Sequence, residues 1–394
     1  MYHFGRKGQD GYIKSDNIIM TRKLFKRLTG VIIILNICTI QAVAKGKSDT
    51  QISEPLIEIS QEISPETITE ELDVVEEEAE PVKEPVQLYT LRPVEGKPVS
   101  FTETWGYVSQ GREDEYDASL PITDVCYFSA EINCYGELSA IPNRTKLKTG
   151  NARCHLVITC DSRSLSHFVI NPEYGVRKNL LKQIVKAAIP YDGVQIDFEL
   201  VPVRDRKHFL TFLADLRYML GQNKWFTVCV PARFKKLSED VYPYTEIANY
   251  SDRVFVMAYD EHWSTSKPGP IASVDWCQKV LEYAQKSIPE RKLVMGIPFY
   301  GRFWAEQATS GAYYFSRLNR MMVAAGVENI TYENDIPKVQ YTTQVDVTGY
   351  FNDAYSDITL LRMYKSAGVK KIGFWRVGQE DPEFWNWLKV SKNK

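Results

Sequence analysis

From about residue 102 onward, short apolar runs alternate with stretches whose apolar residues recur every three to four positions. Eight runs rich in β-branched and aromatic residues predict strands at 104–109, 124–130, 155–159, 193–199, 226–231, 253–259, 292–298 and 371–376. The helical period predicts helices at 180–188, 206–220, 276–286 and 358–367. Repeated strand-then-helix units favour an α/β fold, a closed (β/α)8 TIM barrel, over an open doubly wound sheet, which usually has fewer strands.

This pattern divides the chain into an N-terminal region at 1–44, a linker at 45–99 and a barrel domain at 100–394. Between Tyr300 and Ser356 the connection is too long for a simple loop, and residues 339–347 resemble a strand. We predict a small insertion at about 305–352, between the seventh strand and the seventh helix. At the rim of the barrel it would help to wall a cleft.

The N-terminal region has the pattern of an export signal. Lys23, Lys26 and Arg27 precede the apolar run at 31–37, and the small residues Ala42-Val43-Ala44 follow it. The stretch 28–44 is short for a membrane span and is interrupted by polar residues. We predict a cleaved signal, with an uncleaved anchor or a lipid-modified Cys38 as alternatives. Each of them predicts an exported protein, periplasmic, at the cell surface or extracellular, that contacts a membrane only through this N-terminus.

Composition separates the linker from the barrel. Residues 48–88 contain thirteen Asp or Glu, four prolines, a single lysine and no aromatic residue. Such a segment cannot bury enough apolar surface to fold alone, and its charges repel one another. We therefore predict an extended, disordered acidic linker.

The charge and the cysteine content of the chain limit the classes of function that the sequence supports. The formal net charge is -2, and no basic stripe indicates a nucleic-acid partner. Cleavage after residue 44 would leave six cysteines, which allows disulfides, although several lie in strand-like runs where cysteine is usually a buried apolar residue. No spacing of cysteines or histidines is typical of a zinc site. We expect a monomer with no metal and no cofactor.

The predicted fourth strand ends in two carboxylates separated by one apolar residue. A period of two places Gln195, Asp197 and Glu199 on one face, with about 6 to 7 Å between successive positions. Catalytic groups of such barrels collect at the carboxyl ends of the strands. A buried carboxylate is unfavourable unless it is paired or used in chemistry. A salt-bridged strand end is the structural alternative, and a catalytic site is the interpretation that we favour.

Several motifs then resemble one family. Residues 192–199, D-G-V-Q-I-D-F-E, resemble the D-G-x-D-x-D-x-E signature of family-18 glycoside hydrolases, the chitinases and endo-β-N-acetylglucosaminidases. M-A-Y-D at 257–260 is similar to the sixth-strand M-x-Y-D, and G-I-P-F-Y-G-R at 296–302 resembles the seventh-strand motif. G-F-W at 373–375 resembles the eighth strand, whose tryptophan forms the floor of the sugar site. The resemblance runs in order from about residue 105 to 387.

The resemblance implies a substrate-assisted retaining mechanism without an enzyme nucleophile. Glu199 would protonate the glycosidic oxygen while the N-acetyl carbonyl of the substrate attacks the anomeric carbon. Asp197 would orient the acetamide and stabilise the positive charge, and Tyr259 would donate a hydrogen bond to the acetamide carbonyl. Asp260 would support the same group. Glu199 would then act as the base that activates water.

The matched motifs also imply a set of substrate contacts. Trp375 would be a sugar platform, and Arg302 is either a subsite ligand or part of a salt bridge at the rim. The full set of implied substrate-binding residues is Asp192, Gln195, Asp260, Trp375, Tyr300, Arg302 and Tyr107.

Two positions depart from the family pattern. Gln195 occupies the place of the middle aspartate, so one of the two carboxylates inside the barrel becomes an amide. The third strand continues into T-C-D-S-R-S at 159–164, where many chitinases have a glycine-rich motif. These departures are typical of bacterial members that act on cell-wall or spore-type glycans.

Three functions follow from these patterns. The first is an enzyme that hydrolyses β-linked N-acetylglucosamine-containing polysaccharide or peptidoglycan. The second is a catalytically weak or silent, lectin-like barrel, and the third is an exported structural or adhesive protein. The presence of Glu199 favours the enzyme. The sequence leaves chitin, peptidoglycan and N-linked glycans open as substrates.

Overall fold

The computed structural model describes residues 90–305, 315–334 and 336–391. The predicted export signal and residues 45–89 of the predicted linker lie outside the described residues.

Eight parallel strands form a closed barrel, and the prediction of a (β/α)8 TIM barrel is confirmed. The strands are β1 (Glu103–Ser109), β2 (Asp124–Ile132), β3 (Arg153–Cys160), β4 (Gly193–Phe198), β5 (Trp225–Pro231), β6 (Arg253–Met257), β7 (Leu293–Pro298) and β8 (Lys371–Trp375). Each strand pairs with its neighbours in chain order, and β8 pairs with β1 to close the barrel. All eight predicted strands are present, with ends shifted by no more than three residues.

Seven helices are described outside these strands. They are α1 (Arg163–Ile170), α2 (Arg177–Ala187), α3 (Arg206–Leu220), α4 (Tyr244–Tyr250), α5 (Val274–Ser287), α6 (Phe315–Ala324) and α7 (Ala354–Ser366). The four predicted helices correspond to α2, α3, α5 and α7. Three of them, α2, α5 and α7, begin earlier than predicted. Ser273 caps the start of α5, and a capping box of Asp353 and Ser356 starts α7. Within the described residues, no helix is long and apolar enough to cross a membrane.

Two apolar layers surround the barrel wall. The outer layer lies between strands and helices, whereas the inner layer fills the barrel. Phe255 occupies the centre of the inner layer. A Cβ on Gly373 would lie 2.2 Å from the Phe255 ring, and one on Gly296 would lie 2.9 Å from it. The two glycines therefore allow the large ring to pack directly against the backbone of β7 and β8.

Charged and aromatic groups close the amino-terminal end of the barrel. Asp124 is buried and accepts hydrogen bonds from Arg153 at 2.6 and 2.8 Å and from His155 at 2.8 Å. The guanidinium groups of Arg153 and Arg253 lie 4.3 and 4.7 Å from the Trp225 ring. Burial raises the pKa of Asp124, but the hydrogen bonds and charges of His155 and Arg153 outweigh it and hold this pKa below its usual value.

We expect Asp124→Asn to lower the free energy of unfolding by about 3 kcal/mol, because it leaves Arg153 without its buried partner. A depressed carboxyl pKa adds stability above the unfolded pKa of about 3.9, and this stability is lost as the pH falls through the folded pKa. Urea unfolding at pH 7 and at pH 3 measures both effects. The difference in the free energy of unfolding between wild type and variant should be smaller at pH 3 than at pH 7.

The matched control for this prediction is Glu246→Gln, which breaks the more exposed ion pair with Arg206. It should change the free energy of unfolding by less than about 1 kcal/mol. Equal losses in the two variants would contradict the role of Asp124.

The insertion lies between β7 and α7, as predicted, but its strands differ from the prediction. Strand Arg302–Ala305 pairs antiparallel with Val347–Tyr350, and a small hairpin joins Thr331–Glu333 to Ile336–Lys338. The predicted strand at 339–347 is wrong, since only its last residue lies in a strand. The partner strand at 302–305 sets this pairing, and an isolated β-branched run does not reveal its partner.

The barrel begins earlier than the predicted boundary at residue 100. Strand Val99–Phe101 pairs with Leu388–Val390 near the C-terminus, and Val94 packs against the outer apolar layer. The Arg92 guanidinium lies 4.2 Å from the Tyr355 ring on α7. The last residues of the predicted linker therefore belong to the barrel domain, because they pack on its last helix and strand.

Candidate active site

Strand β4 presents its polar residues to the inside of the barrel. Gln195 is fully buried and Asp197 is 7% exposed, and Glu199 follows the strand end in a half-buried position. The backbone N–H of Glu199 donates to the carbonyl of Cys160 at 2.8 Å, which extends the pairing with β3 by one residue. The two carboxylates thus lie at the carboxyl end of the barrel, as the strand period predicted.

The turn after Glu199 is held by a residue that the sequence did not reveal. The Tyr242 hydroxyl donates to the Phe198 carbonyl at 2.8 Å and accepts from the Val201 N–H at 3.2 Å. Leu200 lies between these contacts with φ of 58°, in the left-handed region. Such a backbone persists only where surrounding contacts enforce it. Tyr242 therefore fixes the direction in which the chain leaves Glu199.

Tyr259 and Asp260 follow strand β6 and point into the same end of the barrel. Asp260 has φ of 60°, and its Oδ1 accepts from the Tyr300 hydroxyl at 2.7 Å and from Arg302 Nη2 at 2.5 Å. Arg302 also lies 5.3 Å from the Tyr300 ring centroid. Two residues that were predicted to bind substrate, Tyr300 and Arg302, therefore hold Asp260 as well.

The Tyr259 side chain is half-buried, and its ring lies 6.4 Å from the ring of Tyr300. Burial raises its pKa, with further contributions from the Cys229 thiol and the Asp197 carboxylate. The Tyr259 hydroxyl therefore stays protonated at neutral pH. It is a hydrogen-bond donor available to a bound ligand.

An aromatic cluster lies beside these groups. The half-buried Trp375 ring lies 4.7 Å from Phe128 and 5.1 Å from Tyr107. The Phe128–Ser129 and Trp375–Arg376 peptide bonds are both cis. Trp375 is the last residue of β8, so its half-buried side chain lies at the carboxyl end of the barrel. The resemblance predicts a sugar platform at this position.

Two predicted substrate contacts are buried too deeply for that role. Tyr107 is 1% exposed, and its hydroxyl contacts Gln195 Oε1 at 2.6 Å and Cys229 Sγ at 3.2 Å. Gln195 lies one step below Asp197 on the inward face and is closed off from solvent. The prediction that they bind substrate is corrected, since packing from neighbouring strands covers both side chains.

Asp192 lies at the other end of the strand. Its carboxylate accepts from the Cys154 N–H at 2.7 Å, and its backbone bonds to β3 and β5. Asp192 precedes Glu199 by seven positions of extended chain, which places the two residues about 20 Å or more apart. Asp192 therefore aligns the start of β4 and does not reach a ligand at the carboxyl end.

The Asp197 carboxylate is surrounded by neutral groups from several strands. Its charge adds to burial in raising the pKa values of Tyr107, Cys126, Cys229, Tyr242 and Tyr259. Cys229 and Tyr242 also sense the charge of Glu199. Cys229 could not be identified as a site residue from the sequence, because it is one apolar-like residue within a strand. The site combines a half-buried carboxyl group, a buried carboxylate and a hydroxyl donor at one edge.

The described cysteines are all free, and only Cys134 among them is exposed. Within the same residues, no group of three or more His, Cys, Asp or Glu side chains is arranged to hold a metal ion. The carboxyl groups of Asp197 and Glu199 and the hydroxyl of Tyr259 are groups that can transfer protons and make hydrogen bonds.

The chain is similar in sequence to several known proteins. The putative sporulation-specific glycosylase YdhD of Bacillus subtilis (strain 168) is 29% identical over 231 residues, which cover 55% of this chain and 54% of that protein. The cortical fragment-lytic enzyme of the same organism is 26% identical over 298 residues, 70% of this chain and 68% of that protein. The chain thus spans only about half the length of the first of these relatives.

Among solved structures, the Bacillus cereus spore cortex-lytic enzyme SleL superposes with a TM-score of 0.59 at 21% identity, over 76% of this chain and 77% of that chain. This likeness shows a shared fold. The family model for glycosyl hydrolases family 18 matches residues 127–380, well over half of the chain, and spans the strands that carry Asp197, Glu199, Tyr259 and Trp375. On this match and this geometry, the chain belongs to glycosyl hydrolases family 18.

Proposed function

We propose that this protein is an exported glycosidase that hydrolyses β-linked N-acetylglucosamine-containing glycans by a substrate-assisted retaining mechanism. The observation that carries the proposal is the placement of Glu199 at the carboxyl end of β4, two residues after the buried Asp197. A half-buried carboxyl group at the end of the barrel can both deliver and recover a proton. The exported location is supported by the signal-like pattern before residue 45.

In the first step, Glu199 donates its proton to the glycosidic oxygen as the bond to the anomeric carbon breaks. The carbonyl oxygen of the substrate acetamide bonds to that carbon and gives an oxazolinium ion. Asp197 stabilises the positive charge that develops on the acetamide nitrogen, and the Tyr259 hydroxyl donates to the acetamide carbonyl oxygen. In the second step, Glu199 takes a proton from water as the water oxygen bonds to the anomeric carbon. The bond from that carbon to the acetamide oxygen breaks, which restores the acetamide.

Asp260 contributes to the proposed reaction indirectly, by helping to orient Tyr259. It is tied to Tyr300 and Arg302, and it directly follows Tyr259 in a left-handed backbone conformation. These contacts fix the residue after Tyr259 and so the direction in which the Tyr259 ring projects. The edge-to-face contact of Tyr259 with Tyr300, at 6.4 Å, restrains the same ring.

Among the glycans, a peptidoglycan of the spore or cell wall is the proposed substrate. The names of the relatives refer to sporulation and to cortical fragments. The Gln195 and 159–164 departures from the chitinase pattern favour the same choice.

The test is a comparison of purified full-length protein on spore cortex peptidoglycan, vegetative peptidoglycan and colloidal chitin, with mass spectrometry of the released fragments. New reducing ends on N-acetylglucosamine in the peptidoglycan digests would support the proposal. Cleavage of chitin alone would indicate that chitin, and not peptidoglycan, is the substrate. Binding to any of the three polymers without cleavage would favour the lectin-like alternative.

We expect Tyr259→Phe to lower kcat by about 10²-fold or more with a small change in KM, because a donor that acts mainly on the transition state is removed. Initial rates on a soluble oligosaccharide separate the two constants. The matched control is Tyr283→Phe, which removes a hydroxyl from α5 on the outside of the barrel, where the ring packs on Tyr244. A rise in KM with kcat unchanged would contradict the role of Tyr259.

A further inference from the structure

Two half-buried rings at the carboxyl end of the barrel, Trp375 and Phe128, form what we call the platform pair. Trp375 ends β8 and Phe128 lies in β2, and their ring centroids are 4.7 Å apart in an edge-to-face arrangement. Strand β1 pairs with both strands and lies between them. The loop that continues from β1 therefore emerges between the strands of the two rings and can contact both.

Regular strand pairing does not hold Phe128 on both sides. The pairing of β2 with β3 skips from Tyr127 to Ala130, so Phe128 lies in an irregular stretch of this ladder. Irregularities of this kind re-aim side chains and interrupt the pairing. On the β1 side, the Phe128 carbonyl accepts from the Gln110 N–H at 2.7 Å. Phe128 is thus held from the strand and loop of β1.

A short turn in this loop contacts β2 next to Phe128. The turn is the 3-10 helix Glu113–Glu115. The Tyr127 hydroxyl donates to Glu113 Oε1, and Tyr127 directly precedes Phe128. Burial raises the pKa of Glu113, but hydrogen bonds from the Tyr127 hydroxyl and the Gly111 N–H outweigh it and hold this pKa below its usual value. Glu113 is therefore a charged acceptor, which makes the stronger kind of hydrogen bond.

The other end of the same turn contacts the chain next to Trp375. Arg376 Nη1 donates to Glu115 Oε2, and Arg376 directly follows Trp375. Both side chains of this ion pair are mostly buried, with exposed fractions of 16% for Arg376 and 22% for Glu115. Gly378 makes room for the pair, since a Cβ there would lie 2.5 Å from Glu115 Oε2. Glu115 is therefore packed closely against the chain that follows β8.

We propose that Glu113 and Glu115 are positioning residues for the platform pair. From one turn they hold a chain neighbour of each ring, so that the edge-to-face contact keeps the Trp375 ring in one orientation. A ring that is already oriented loses less conformational entropy when a sugar packs on it than a ring that is free to rotate. This inference rests on the proposed function, in which Trp375 is a sugar platform.

The first measurement observes the Trp375 ring without any substrate. The full chain is labelled with ¹⁵N at the tryptophan indole, and the Trp375 NMR signal among the eight tryptophans is identified by its loss in Trp375→Phe. In Glu115→Ala and in Tyr127→Phe this signal should shift and broaden, because the ring then samples more than one orientation. Glu115→Gln keeps an oxygen acceptor for Arg376 and should recover most of the wild-type signal.

The second measurement is the affinity for a soluble tetramer of β-linked N-acetylglucosamine. Isothermal titration is carried out in the Glu199→Gln background, which slows hydrolysis during the experiment. Glu115→Ala should raise the Kd about tenfold, the usual effect of losing a hydrogen bond to a charged group. In a protein that already carries Trp375→Ala it should raise the Kd no further, because both changes act through one ring.

The matched control is Asp114→Asn. Asp114 lies between the two glutamates in the same turn, and its side chain is exposed. The change removes one negative charge from the turn and should leave the Trp375 signal and the Kd of the tetramer unchanged. Tyr127→Phe removes a single hydroxyl and tests the Glu113 contact even where Glu115→Ala does not fold.

An unchanged Trp375 signal and an unchanged Kd in both Glu115→Ala and Tyr127→Phe would overturn the inference. So would equal effects in Asp114→Asn, or a further loss of affinity of about tenfold when Glu115→Ala is added to Trp375→Ala. A wild-type protein that neither binds nor hydrolyses a glycan would refute the proposed function. The NMR comparison needs no glycan and would still decide whether the turn orients Trp375.

Discussion

Replacing Glu199 with glutamine should lower kcat on a soluble N-acetylglucosamine oligosaccharide by about 10² to 10⁴-fold, the usual loss when a general acid is removed. The amide is nearly the same size and keeps the backbone bond to Cys160, so the fold should be unchanged. The variant should still bind substrate, because Asp197, Tyr259 and Trp375 remain. Steady-state kinetics and isothermal titration with the same oligosaccharide measure the two properties.

Glu131→Gln is a suitable control for this change. Glu131 is an exposed glutamate near the carboxyl end of β2, on the same edge of the barrel. Its replacement should alter kcat by no more than about threefold. Activity of Glu199→Gln within tenfold of wild type would refute the assignment of the proton donor.

Hydrolysis should depend on the acetamide of the substrate. If the acetamide carbonyl is the nucleophile, a substrate with glucose in place of N-acetylglucosamine at the reacting position should not be turned over. A thiazoline analogue of the oxazoline should inhibit strongly, because it resembles the intermediate that Asp197 and Tyr259 are placed to hold. Turnover of the glucose analogue and an inhibition constant for the thiazoline are the two measurements.

The opposing mechanism makes a different prediction. An ordinary retaining glycosidase needs a carboxylate nucleophile about 5 Å from the acid and forms a covalent glycosyl-enzyme. Asp197 is the near candidate on β4. Mass spectrometry after treatment with a fluorosugar would detect its labelling. A labelled Asp197, together with hydrolysis of the glucose analogue, would replace the substrate-assisted mechanism with the covalent one.

The barrel could be predicted from the sequence because each strand carries its own signal. Buried parallel strands appear as short β-branched and aromatic runs, and strand β4 shows in its alternation which residues face inward. That alternation was enough to place Gln195, Asp197 and Glu199 on one face. The family motifs then supplied Tyr259 and Trp375, whose contribution depends on other strands.

The sequence could not show how far along the barrel axis each motif residue lies. Asp192 belongs to the signature and yet lies at the amino-terminal end, where it binds the Cys154 N–H. Tyr107 is near the end of its strand, but Phe128 and Trp375 pack around its ring. The depth of a residue in the barrel, and the side chains that cover it, depend on neighbouring strands and loops, which are distant in sequence. For the same reason Tyr242, in the connection after β5, gave no signal of its contact with the turn after Glu199.

The left-handed backbone at Leu200 lowers the stability of the folded protein, but it belongs to the turn that orients Glu199 for catalysis. A residue with a Cβ is unfavourable in this conformation by roughly 1 kcal/mol or more, and at 39% exposure the Leu200 side chain recovers only part of this through burial. Glycine at this position would relieve the strain in the folded state, but it would also loosen the turn that directs Glu199. The scaffold is therefore held somewhat below the stability that its architecture permits. Efforts to make this enzyme more heat-resistant should strengthen the amino-terminal end of the barrel and leave the turn after β4 as it is.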